Sequence, residues 1–333
     1  MELLNVKTMA DGRTLRIYRQ ITPATEPVPE RLIRYVISSI GFDSYREHVH
    51  EQNFWRLHYR TAFAGEGCVD HLYLAEVDGT FAARVWFAYS PETGFGNFGN
   101  VYTEPAFRRL GLMWDLLQYC VKDFYDSPAQ LLCCGTETAY AAATYRKAGF
   151  QMIYGGEIGL MHIIDPKAGA HFIDLEKKYF DGSKIQNIRS GEPRDQFACD
   201  KFLVYTSALQ GPDSAWVSTG PDAYICDYRT AWQEHKNGIA VTAVAENAKG
   251  AVCAYAYAVK AFGRNCLNFV VHPDNKGEIR ELLEFTASEF RKKYPGESLM
   301  IYLVSNYHIQ LEALKLSGLT PVATVADLVI FEF

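Results

Sequence analysis

The chain lacks the marks of several large protein classes. It has eight cysteines in 333 residues but no Cys-x-x-Cys pair, which excludes a cysteine-rich zinc module. Cys133 and Cys134 are neighbours on an expected strand, where they point to opposite faces. Reduced, mostly buried thiols in a cytoplasmic protein are the simplest reading. Positive charge is not in excess: 33 Lys and Arg stand against 39 Asp and Glu, a formal net charge of −6. A nucleic-acid partner needs a basic face, so none is expected, whereas mild acidity suits a cationic, amine-bearing substrate. No apolar run is long enough to cross a bilayer, so no membrane partner is expected. The opening stretch Met1 to Lys7 lacks the apolar core and small-residue cleavage site of a signal peptide. His48, His50 and His58 do not read as a metal site, because His48 and His50 do not share a helix face and no acidic cluster completes a ligand set.

What is present is ample hydrophobic content, 48%, and a length that suggests two domains. The informative stretch is Val101 to Phe150. Val101-Tyr102-Thr103-Glu104-Pro105 reads as a strand ending at a proline, followed by Phe107-Arg108-Arg109-Leu110-Gly111-Leu112-Met113. Leu112, Met113, Leu116, Leu117, Cys120, Val121 and Phe124 then recur at spacings of three and four, the signature of a helix with one apolar face. A strand, a basic turn and a helix start together make an anion site. The first N–H groups of a helix have no partner within it, and its dipole favours negative charge there. Gly111 lets a ligand approach the backbone, and Arg108 and Arg109 carry charge suited to phosphate oxygens.

Arg108-Arg109-Leu110-Gly111-Leu112-Met113, followed by Tyr145 to Gly149-Phe150 at the end of a further helix, resembles the GNAT superfamily of acyl-CoA-dependent N-acyltransferases. The resemblance covers roughly residues 14–165. Two positions depart from the family pattern: Met113 stands where Gly or Ala is usual, and Thr138 where an Asn often contacts the cofactor. The resemblance implies an α/β fold with a mixed sheet and acetyl-CoA as co-substrate. It implies a strand splayed from its neighbour, with the pantetheine arm in the gap bonded to the backbone of Val101, Tyr102 and Thr103. Arg108, Arg109, Leu110, Gly111, Leu112, Met113 and Thr138 complete the implied cofactor site. Tyr145 is implied as the proton donor to the leaving thiolate.

Around this stretch, Thr14–Arg19 alternates as a strand, and Pro29-Glu30-Arg31 opens a helix with Leu32, Ile33, Val36, Ile37 and Ile40 on one face, ended by Gly41. A second, aromatic-rich helix is expected over about 45–63, with Phe54, Trp55, Tyr59 and Phe63 mostly as core. His71–Val77 and Thr80–Phe87 flank Asp78-Gly79, a hairpin signal. Gly94, Gly96 and Gly99 permit a bulge before the Val101 strand. Gln130–Gly135 is the next strand, and Thr136-Glu137-Thr138 precedes the Tyr145 helix.

The second half repeats the plan. A hairpin around Asn247–Gly250, a strand ending at Pro273, a helix, a strand over 298–304 and a helix ending at Gly318 follow in the same order. Pro105 and Gly149 are 44 positions apart, and Pro273 and Gly318 are 45 apart, so a repeat of about 168 residues is expected. Its turn, Asp274-Asn275-Lys276-Gly277-Glu278, has no Arg-x-x-Gly, and Leu314 stands where Tyr145 would be. The expected organisation is a GNAT-like domain at 14–166, a linker helix at 167–183 and a degenerate GNAT-like domain at 184–333. The last would serve as support, as a wall of the acceptor pocket or as a homodimer surface.

An alkyl amine is mostly protonated at neutral pH, a penalty of about 4 kcal/mol, so a carboxylate base or a water held by one is useful. Glu137 and Glu76 are the candidates, while Glu104, beside the proline, is expected to face solvent. The resemblance implies acetyl transfer from acetyl-CoA to a primary amine of a small molecule or peptide, and no metal is expected. The alternative is a non-catalytic CoA-binding or scaffolding protein. A transferase using charged tRNA is disfavoured by the acidic charge.

Overall fold

The computed structural model describes residues 1–38, 67–205, 228–261 and 264–333. The histidines and aromatics expected over 45–63, and the helix end at Gly41, lie outside the described residues. The chain divides into two compact units, Met1–Cys134 with Ala139–Gln151, and Gly135–Thr138 with Met152–Phe333.

Eight strands form the first sheet: β1 (Glu2–Thr8), β2 (Thr14–Thr22), β3 (Val69–Val77), β4 (Thr80–Tyr89), β5 (Phe95–Thr103), β6 (Leu131–Thr136), β7 (Gln151–Gly155) and β8 (Gly159–Ile164), in the order β1-β2-β3-β4-β5-β6-β8-β7. The expected hairpin joins β3 to β4, with Asp78 at φ 46 and Gly79 at φ 87, the left-handed pair that matches the twist of two antiparallel strands. Helix α1 (Glu30–Ser38) buries Leu32, Ile33, Val36 and Ile37. Helix α2 (Leu112–Asp126) buries Leu112, Leu116, Leu117, Cys120 and Phe124, as the spacing requires. Burial of each such side chain contributes about 1.5–3 kcal/mol. Helix α3 (Ala139–Lys147) buries Ala142 and Tyr145.

Helix α4 (Phe172–Phe180) and the short α5 (Gln196–Asp200) precede α6 (Tyr228–Lys236), and α7 (Arg280–Lys293) and α8 (His308–Leu316) follow. The second sheet has seven strands: β9 (Ile185–Ser190), β10 (Ala240–Asn247), β11 (Val252–Ala261), β12 (Arg264–Val271), β13 (Met300–Val304), β14 (Ala323–Val325) and β15 (Leu328–Glu332). Its order, β9-β10-β11-β12-β13-β15-β14, matches that of β2 to β8 strand for strand, and among the described residues β1 has no counterpart. β5 pairs with β6, and β12 with β13, in parallel, whereas β4 with β5 and β11 with β12 are antiparallel. The backbone repeats at the critical junction as well. The N–H of Glu104 donates to Ala82 O at 2.9 Å and the N–H of His272 to Cys253 O at 2.8 Å, each just before the proline that opens a 3-10 turn. The core of this half gathers β10 to β13 side chains around Leu282, Leu283, Ala287 and Phe290 of α7.

Candidate functional site

β5 and β6 pair only at Phe95–Leu131, Gly96–Leu132 and Asn97–Cys133. Beyond Asn97 the C-terminal half of β5 runs on without a parallel partner, so the two strands diverge. On its other side β5 stays with β4, through Arg84–Tyr102 and Ala83–Thr103, with a register shift between Arg84 and Trp86. The extra residue is accommodated at Asn100, whose φ is 50. The bulge thus falls on an asparagine, a residue that tolerates the left-handed region, and not on one of the three glycines. Asn100 is also held through its side chain, where Oδ1 accepts from Arg84 Nε at 2.7 Å.

Because Glu104 donates to Ala82, alternation turns the main-chain groups of Tyr102 toward β4 and those of Thr103 away from it. Thr103 O accepts from Arg108 Nε at 3.1 Å. That bond ties the basic turn to the free side of β5. The three implied strand residues therefore differ: Val101, Tyr102 and Thr103 are all half-buried, but the Tyr102 backbone is spent on β4.

The turn itself has two left-handed residues, Arg109 at φ 64 and Gly111 at φ 79. Gly111 caps α2 with no side-chain hydrogen bond, and a Cβ built on it would meet nothing within 4 Å. The first α-helical bond runs from Asp115 N–H to Gly111 O at 3.1 Å, so the N–H groups of Leu112, Met113 and Trp114 precede the ladder. Arg108, Arg109, Leu110 and Gly111 are exposed, Met113 is half-buried, and the Leu112 side chain is core. Asp115, the one acidic residue of the first turn, is paired with Lys7 of β1 at 2.7 Å.

The charge pattern around this turn is uneven. In the first unit Lys7, Arg13, Arg16, Arg19, Arg31, Arg34 and Lys122 each reach a carboxylate. Arg108 and Arg109 make no ion pair with a described residue, and neither does Lys147, whose Nζ sits 3.9 Å from the ring centre of Trp114. Three cations without a carboxylate partner among the described residues thus lie on or against the opening of α2, where the helix dipole also favours an anion.

Tyr145 is 5% exposed, in edge contact with Phe98 at 5.2 Å and tilted against Phe150 at 5.8 Å. Burial, and then the neighbouring Cys134 and Cys120, push its hydroxyl well above the usual tyrosine range. It stays protonated at neutral pH, as a proton donor must.

Of the acidic candidates, Glu76 is 4% exposed and already engaged. It accepts from the Tyr18 hydroxyl at 3.3 Å and pairs with Arg31 at 3.3 Å and Arg16 at 3.6 Å. Glu137 and Thr138 are exposed between β6 and α3, and the Thr138 N–H bonds back to Thr136 Oγ1 at 3.4 Å. Glu104 corrects the expectation of a solvent-facing side chain. It is half-buried, and its Oε2 accepts from the Tyr102 hydroxyl at 3.3 Å. Arg84, 2% exposed, lies over the Tyr102 ring at 5.1 Å and the Tyr35 ring at 5.6 Å. Residue type alone gave no signal for Arg84; the bulge that brings Asn100 to it is a tertiary event. Among the described residues no group of three or more His, Cys, Asp and Glu side chains is arranged to hold a metal ion, and no helix is long and apolar enough to cross a membrane.

Residues 35–150 match the family described as "Acetyltransferase (GNAT) family", about a third of the chain. No curated protein matches in sequence. Among solved structures, the ribosomal-protein-S5-alanine acetyltransferase from Vibrio fischeri is similar at 13% identity over 44% of this chain and 91% of its own, with a TM-score of 0.35. The ribosomal L7/L12 alpha-N-protein acetyltransferase in complex with coenzyme A is similar at 15% identity over 49% and 98%, TM-score 0.34. The GNAT domain of the S. lividans protein PAT is similar at 16% over 44% and 88%, TM-score 0.33. The segment that matches the GNAT acetyltransferase family, residues 35–150, includes the basic turn and Tyr145.

Proposed function

We propose that the protein transfers an acetyl group from acetyl-CoA to a primary amine of a small molecule or peptide. The observation that carries the reading is the turn at 108–113. It combines a left-handed glycine open above a helix start, arginines with no carboxylate partner among the described residues, and a strand edge released from its parallel neighbour. Those features fit the diphosphate and the extended amide arm of a CoA thioester. The N–H groups of Leu112 and Met113 with Arg108 and Arg109 would hold the diphosphate. Thr103, whose N–H points away from β4, would bond the arm. Acetyl-CoA supplies the activated acyl group; the chain supplies orientation and proton management. Tyr145, kept protonated by burial, would return a proton to the departing thiolate. Glu104, steadied by the Tyr102 hydroxyl, joins Glu76 and Glu137 as a candidate to draw a proton from the amine through water. The backbone donors of β5 suit a developing oxyanion.

Thermal unfolding with and without acetyl-CoA tests this. A ligand at a hundred times its Kd stabilises the native state by about 2.7 kcal/mol, and Arg108→Glu should remove the shift. No shift at millimolar acetyl-CoA with the native protein would overturn the reading.

The burial of Tyr145 between Phe98 and Phe150 favours a second reading, a CoA-binding scaffold in which the ring only packs. Tyr145→Phe separates the two. For the enzyme, kcat falls about tenfold or more while acetyl-CoA binding and Tm hold. For the scaffold, the substitution changes no measured turnover.

A further inference from the structure

Beyond the turn, one cation in the first unit stands apart from the ordinary surface pairs. Lys147 is the last residue of α3, is exposed, and makes no ion pair with a described residue. Its ammonium nevertheless has a defined place, 3.9 Å from the centre of the Trp114 ring. Trp114 is the third residue of α2 and half-buried, so the pair sits beside the turn that carries Arg108 and Arg109. A cation over an indole face is held by the ring's quadrupole while keeping its hydrogens available for another acceptor. A second helix thus adds a cation beside the helix start that follows Arg108 and Arg109.

Placement at the C-terminal end of α3 offsets that helix's dipole, and this alone would account for a lysine there. It does not account for the ring contact or for Arg108 and Arg109 nearby in the turn, which also lack carboxylate partners among the described residues. Coenzyme A carries two anionic groups: the diphosphate, which suits the N–H groups and arginines of the turn, and a dianionic ribose 3′-phosphate. We infer that Lys147, steadied by Trp114, is the recognition residue for the ribose 3′-phosphate of coenzyme A, and so selects CoA over its dephospho form. This inference rests on the CoA reading above.

The test compares binding of CoA and of dephospho-CoA by calorimetry, with quenching of Trp114 fluorescence as a second readout and Trp114→Phe as its control. The native protein should prefer CoA about tenfold. Lys147→Ala should weaken CoA binding about tenfold, leave dephospho-CoA within twofold, and leave Tm unchanged, because the side chain is exposed. Lys147→Arg, which keeps both the charge and the stacking, should restore the preference. Equal losses for the two ligands, or no loss for either, would overturn the role of Lys147 while leaving the CoA site standing. Failure of the native protein to bind either ligand would overturn both readings.

Discussion

His71 is 7% exposed, stacked on Phe87 at 4.4 Å, with Nδ1 3.3 Å from the Tyr73 hydroxyl. Removal from water holds its pKa down at about 4, against the opposing pull of Asp123. A depressed histidine costs stability in acid: the unfolded chain takes up the proton near pH 6.5, the folded one only near 4. Stability from this group is therefore complete above about pH 6.5 and is lost as pH falls toward 4, at up to about 1.4 kcal/mol per pH unit. His162, also buried, is lowered to about 4 and adds a slope of the same sign. His71→Phe keeps a ring against Phe87 and removes the titration. Between pH 6.5 and 4.5 the urea midpoint of this variant should fall less steeply than that of the native protein; parallel slopes would show that other groups carry the acid sensitivity. Nothing in the sequence around His71 distinguishes it from the neighbouring polar residues of its strand. Its titration is set by what closes over it, the ring of Phe87 and the α2 residue Asp123, which bonds Tyr73 at 2.6 Å.

At the scale of elements, the chain was legible where local chemistry decides conformation. Asp78-Gly79 specifies its turn because both residues must take positive φ, and the three-four spacing of α2 specifies its buried face. The edge strands β1, β9 and β14, and β15 beside the last of them, were not legible. They are short or largely exposed, so period-two alternation is weak in them and pairing with a neighbour decides their conformation. β1 matters to the site in spite of its exposure, because its Lys7 pairs with Asp115 in the first turn of α2, whose carboxylate would otherwise repel a bound phosphate. Exposed pairs of this kind contribute only about 0.2–1 kcal/mol, so Lys7→Ala should weaken acetyl-CoA binding about threefold, and Lys7→Ala with Asp115→Asn should recover it. A calorimetric Kd series tests the cycle. Failure of the second substitution to compensate would mean that Lys7 acts on the ligand by some route other than Asp115.

For the molecule as a whole, the two sheets share one strand order, but their turns are chemically different. In the second, α7 opens on Ile279 in ordinary right-handed geometry, with no left-handed glycine before it. Glu278 accepts from Ile185 N–H at 2.8 Å, Asn275 Nδ2 donates to Ser183 O at 3.0 Å, and Lys276 is committed to Glu312 at 2.7 Å. Glu278 and Asn275 are thus tied to the chain at the start of β9 and Lys276 to α8, and Asp274 and Glu278 add negative charge. Acetyl-CoA should therefore bind with a stoichiometry of one per chain by titration calorimetry. A value of two would show that the second turn binds as well.

The helix start after a basic turn and the tyrosine ahead of Gly149-Phe150 were determined by sequence alone, because each depends on residues close together in the chain; the common order of the two halves showed in the like spacings of Pro105 to Gly149 and Pro273 to Gly318. The tertiary structure decided which of those residues are available. The divergence of β5 from β6, the bulge at Asn100, the pairing of Glu76 with two arginines and the lysine of α3 over the tryptophan of α2 all join segments far apart in sequence. Their geometry follows from packing and long-range pairing, which no local propensity encodes.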